Sequence, residues 1–168
     1  MFFSTMAFFI LIFALLAKLA WTDHKFYLLP NVYNLSLLIC YLGFHMMTKW
    51  HFVAIDKAIW GAIAGGGFLI ILRAVANHVM KTDTIGFGDI KFVIAAGFGL
   101  GIPNVFLVLT IGSALGIFHG IILYMIEDRK TEENLDLSHV NVPAGVGLCI
   151  ATALITLYQF NGWWRLFS

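Results

Sequence analysis

Six apolar stretches separated by short polar breaks leave this chain little choice of fold class. They cover about 2–20, 31–48, 57–80, 89–102, 104–126 and 142–160. A helix crossing a bilayer takes about 20 mostly apolar residues. Each stretch is therefore expected to be a transmembrane helix, the fourth a short one. Hydrophobic residues make up 61% of the 168 and charged residues 11%, with a mean hydropathy of +0.91. A soluble domain carries roughly 45–50% apolar and 25% charged residues, so this chain has too little polar surface to cover a water-soluble globule. The expected class is an all-α integral membrane protein, a polytopic bundle of about six transmembrane helices, with 1–168 forming a single domain.

The breaks set an expected topology. Six helices alternate the loops between two faces. One face carries Lys18, Lys25, Lys81, Lys91, Arg129 and Lys130; the other carries Lys49, Lys57 and Arg165. The positive-inside rule puts the first face in the cytoplasm and both termini outside. The first stretch lacks a basic leader, and its only lysine is Lys18, so a retained helix is expected rather than a cleaved signal. The one strongly polar connection runs from Glu127 to His139 and reads as a solvated loop. Trp163, Trp164 and Arg165 read as an interfacial belt.

Several function classes drop out. A net charge of +1 without a basic patch implies no nucleic-acid partner. Cys40 and Cys149 lie in apolar runs without a CxxC pair and read as packing thiols. His45, His78 and His119 show neither HExxH nor i,i+4 spacing. No metal or organic cofactor is expected. For His45, a hydrogen bond inside the bundle or a headgroup contact is expected. Arg73 needs a partner, and Asp83 and Asp89 are the acids on its side. Gly61 with Gly65, and Gly112 with Gly116 and Gly120, form stripes that let helix backbones approach closely, first of all within the bundle.

Two aspartates carry the chemistry that the sequence suggests. Asp23 follows the first stretch in DHKFYLLPN, and Asp89 opens the fourth in GFGDIK. Both fall on the expected cytoplasmic face. Two carboxylates within reach of one water cannot both ionise. They share a proton, so one can take a proton from the water while the other donates to a carbonyl oxygen. Gly86 and Gly88 remove side-chain bulk before Asp89 and permit close approach of an extended strand. The simpler reading stays open, with Asp89 as a helix cap and Asp23 as a solvated loop residue.

GFGDIK at 86–91 resembles the GxGDxK signature of the type IV prepilin peptidases, which are GxGD aspartic proteases of the membrane. DHKFYLLPN at 23–31 resembles that family's other aspartate segment, and VPAGVGLCIA from Val142 its late Pro-and-Gly helix start. The resemblance implies that Asp23 and Asp89 are the catalytic pair. Gly86, Gly88 and Lys91 correspond to the rest of the motif, and Pro30 and Asn31 to the segment after the first aspartate. It implies a membrane aspartic endopeptidase that removes the leader of type IV pilin-like precursors at the cytoplasmic face of a bacterial inner membrane. The short length suggests the compact form of Flp or tight-adherence systems, without the cysteine-rich methyltransferase domain. The rival reading is non-enzymatic: a transporter, or an assembly subunit of a secretion or pilus system, supported by Arg73, His78 and His119 within helices.

Overall fold

The computed structural model describes residues 2–128 and 144–161. Six helices follow in order: α1 (Phe2–Phe26), α2 (Asn31–Met47), α3 (Ile55–Met80), α4 (Phe87–Leu100), α5 (Asn104–Asp128) and α6 (Ala144–Gln159). The all-α six-helix bundle is as expected. The expectation that all six are spans needs correction. Three helices are long and apolar enough to cross a membrane, over Phe3–Phe26, Ile55–Met80 and Asn104–Leu123. The others have 17, 14 and 16 residues. Close turns cut two of these short: Lys49 and Trp50 adopt positive φ after α2, and Gly101 (φ 68°) ends α4. The set of apolar helices fits a multi-pass membrane protein. Most of the polar connection and the Trp163–Arg165 belt lie outside the described residues.

Expected and observed ends differ most at α1, which continues to Phe26 and takes Asp23 into the helix rather than a following turn. Nothing in Trp21–Phe26 breaks a helix. Tyr27 stops it by turning left-handed (φ 53°), its N–H closing onto the Asp23 carbonyl at 2.8 Å. Pro30 then takes the N-cap position of α2.

The bundle is built around α4, which packs against α2, α3, α5 and α6, while α1 bridges α2 and α6. One side of α4, including Phe92, Val93, Ala96 and Leu100, is buried. The glycine stripes serve this packing. A Cβ on Gly61 would lie 2.7 Å from Gly101 Cα, and one on Gly112 would lie 2.9 Å from Leu148 Cα, so α3–α4 and α5–α6 meet backbone to backbone. Ile63, Ile70, Ile71 and Val79 face outward on α3, the apolar exterior a helix shows to lipid rather than water.

At the end formed by the C-termini of α2 and α4, His45 is fully buried. Its Nε2 donates to the Gly99 carbonyl at 2.9 Å. Its ring stacks on Trp50 at 5.3 Å, with Phe98 and Phe160 edge-on. Of the two uses the sequence allowed, the hydrogen bond inside the bundle is the one adopted. Cys40 and Cys149 are both free and buried.

Candidate active site

The opposite end holds the two aspartates. Asp23, in the last turn of α1, is only 5% exposed. Its Oδ2 accepts the Val146 N–H at 3.0 Å, and the Gly145 N–H also donates to the carboxylate. These are unpaired amides of the first turn of α6, which favour a negative charge. Contact this close requires glycine at 145, where a Cβ would come 2.7 Å from Asp23 Cγ.

Asp89 stands third in α4. Its carboxylate reaches back to the N–H of the N-cap residue Gly86, one half of a capping box. Asp89 lies outside the three helices long enough to span. Burial, and after it the Asp23 carboxylate nearby, push its pKa up to about 6, against the smaller opposing pull of the Gly86 N–H.

Both carboxylates line one cavity of about 500 Å³ at this end. Gly86, Gly88, Lys91, Pro30 and Asn31 line it too, so the structure brings together all seven residues singled out in the sequence. Two ties hold the 27–31 turn against the start of α4. Lys91 Nζ donates to Asn31 Oδ1 at 2.8 Å. The buried Asn34 Nδ2 donates to the Gly88 carbonyl at 3.2 Å and, more weakly, to that of Leu29 at 3.4 Å. A Cβ on Gly88 would sit 3.0 Å from Leu29 Cβ, so the turn could not lie this close to any larger residue.

Arg73 takes Asp83 as its partner, at 2.6 Å, and not Asp89. Asn77 joins the pair at 3.0 Å and also holds Thr84, while the guanidinium lies 4.2 Å over the Phe87 ring. Asp83, read from the sequence as loop polarity only, is thus a pin for the segment leading into Gly86. His78 is exposed and does not line the cavity.

Sequence reasoning missed three groups. Asn34 carries no motif. Gly145 and Val146 stand out only as part of a Pro-and-Gly helix start. His24 and His119, 95 positions apart, meet with Nδ1 and Nε2 3.2 Å apart beside Asp23, so one ring donates its N–H and the other accepts. Among the described residues, no three His, Cys, Asp or Glu side chains gather as metal ligands would.

The sequence profile of the type IV leader peptidase family matches residues 9–121. A prepilin leader peptidase/N-methyltransferase of Escherichia coli (strain K12) is 29% identical over 119 residues, 71% of this chain and 52% of the relative. The protein of that description from Neisseria gonorrhoeae is 26% identical over 151 residues, 90% of this chain and 50% of the relative. One from Aeromonas hydrophila is 30% identical over 143 residues, 85% of this chain and 46% of the relative. The chain spans about half the length of these curated relatives. No solved structure matches.

Proposed function

This chain belongs to the type IV leader peptidase family, and on that premise we propose that it is a membrane aspartic endopeptidase in which Asp23 and Asp89 activate one water. The observation that carries the reading is the shared cavity: two carboxylates from different helices face the same space, and one feels the charge of the other.

The amides of α6 favour Asp23 as the ionised partner, and the raised pKa of Asp89 favours it as the protonated one. Asp23 takes a proton from the water as the hydroxyl adds to the scissile carbonyl carbon, and Asp89 gives its proton to the carbonyl oxygen. In the second half, Asp23 passes its proton to the leaving nitrogen and the C–N bond breaks. Asp89 recovers a proton from the tetrahedral hydroxyl as the carbonyl re-forms. Both carboxyls end as they began, with no covalent intermediate.

The substrate on this reading is a membrane-anchored, pilin-like precursor of the Flp or tight-adherence kind, cut at headgroup depth. The whole chain acts as one peptidase domain in a bacterial cytoplasmic membrane, with the aspartates towards the cytoplasm and both termini outside. The Lys and Arg bias supports that orientation. Against the transporter reading stands the packing beyond the aspartates, where Leu37, Phe44, Phe92 and Leu100 are buried in the bundle's interior.

The test is cleavage of a pilin-like precursor by the protein in liposomes. Asp23→Asn and Asp89→Asn should each lower kcat by at least about 10³-fold, the scale on which loss of a catalytic carboxylate acts, with helical content retained. Full processing by either variant overturns the proposal.

A further inference from the structure

One of the two cavity carboxylates hangs on an exposed, irregular stretch. Residues 81–86 link α3 to α4 without forming a helix or strand. Across 81–87, Ile85 is partly buried and the other six residues are exposed. Yet Gly86 in this stretch supplies the N–H that holds the Asp89 carboxylate. The two lie so close that a Cβ at position 86 would come 3.1 Å from Asp89 Oδ2. A loop with a glycine in it and so little apolar burial opens locally at small cost. If the carboxylate is to keep one direction, something outside the loop has to hold it.

Arg73 of α3 grips the stretch on both sides of Gly86. Its Nη2 donates to Asp83 Oδ1 at 2.6 Å, three residues before the glycine. Its Cζ lies 4.2 Å over the Phe87 ring, one residue after it. A planar guanidinium can bond through its edge and stack through its face at once, which a lysine cannot. Asn77, one turn further along α3, completes the clamp. Its Nδ2 donates to the same Asp83 oxygen at 3.0 Å, and its Oδ1 accepts both the N–H and the hydroxyl of Thr84, each at 2.9 Å. The Asp83 side chain is 81% exposed. An ion pair with one partner so open to water adds little to global stability. The clamp therefore fixes a local segment rather than holding the bundle together.

We propose that Arg73 is a positioning residue for Asp89: clamped to Asp83 and Phe87, it holds the Gly86 N–H in place, and through that amide it aims the Asp89 carboxylate into the cavity it shares with Asp23. The inference rests on the peptidase reading for the chemistry that the aim serves. It adds a part of the machinery that touches neither the water nor the substrate.

The experiment uses the full chain in liposomes with a single-span pilin-like precursor. Asp83→Ala, at the exposed end of the clamp, and Arg73→Met, which keeps the apolar stem, should each lower kcat about tenfold with KM within about twofold of wild type. Because both act through one segment, the double variant should be within about twofold of either single one. The Asp89 midpoint in carbon-13 spectra of labelled aspartate supplies a readout that needs no substrate. In Asp83→Ala, loss of a neighbouring negative charge alone would draw that midpoint down, whereas release of the Gly86 N–H should move it up, above about 6. An unchanged kcat in both single variants, losses that multiply in the double variant, or a midpoint that stays or falls would overturn the assignment. If the wild-type protein cleaves no precursor, the peptidase reading fails by itself, and the midpoint still decides whether the clamp acts on Asp89.

Discussion

The two ends of the bundle start from the same ingredient, an ionisable side chain buried at a helix terminus, and put it to opposite uses. His45 is sealed between rings, bonded to a helix-end carbonyl and stacked on Trp50. Asp23 is also buried and bonded to helix-start amides, yet opens on a cavity with a second carboxylate in it. Burial alone therefore does not mark a reactive site. What separates the ends is unfilled space and a like charge that no aromatic ring excludes. One end reads as fastening, the other as chemistry.

That contrast is open to attack at several points. The sharpest is Gly145→Ala, whose new methyl falls on Asp23 Cγ. Displacing a catalytic group by about an ångström costs about 10²-fold in rate, so precursor cleavage should fall by that order while the thermal midpoint moves little. A silent Gly145→Ala would mean that α6 does not position Asp23. His45→Ala should do the reverse. It removes a hydrogen bond and a ring stack, worth about 2 kcal/mol together, read as a lowered unfolding midpoint in detergent. Activity per folded molecule should stay within about twofold. A large loss of kcat there would erase the distinction between the ends.

Lys91→Met cuts the tie to Asn31 but keeps the apolar stem. A charged hydrogen bond of about 1.5 kcal/mol corresponds to roughly tenfold in kcat/KM. Lys91→Arg, which keeps a donor, should recover part of it. The smallest effect is electrostatic. Asp89, pushed up to about 6, is protonated below that pH and ionises as pH rises through it. Activity that needs its proton should decline on that alkaline side. Asp23→Asn removes the like charge, so the Asp89 midpoint should move down, toward an ordinary carboxylate, in carbon-13 spectra of labelled aspartate. An unmoved midpoint would show that the two carboxyls do not sense each other.

Residues that announce themselves locally were legible in the sequence. Asp23, Asp89, the glycines of GFGDIK and the Pro30–Asn31 step stand in recognisable strings, and all line the cavity. Their partners were not legible, because each contact is made across the bundle. The amide donor to Asp23 is 123 positions away, and Lys91 finds Asn31 60 positions away. No periodicity encodes such pairings; helix packing creates them. Helix ends failed for a related reason. Tyr27 gives no glycine or proline signal for a stop, and only its backbone shows that α1 runs past Asp23.

The brevity of α4 carries a last consequence. Fourteen residues rise only about 21 Å, against a hydrocarbon layer of about 30 Å. Tilting would only shorten its reach along the bilayer normal, and four neighbouring helices hold it in place. In the membrane placement proposed above, lipid dips toward it or water follows it down, and the aspartate in its first turn sits in a dimple of thinned bilayer. Acyl-chain length thereby becomes a control on turnover: the protein should work fastest in short-chain lipids, where the dimple is shallowest.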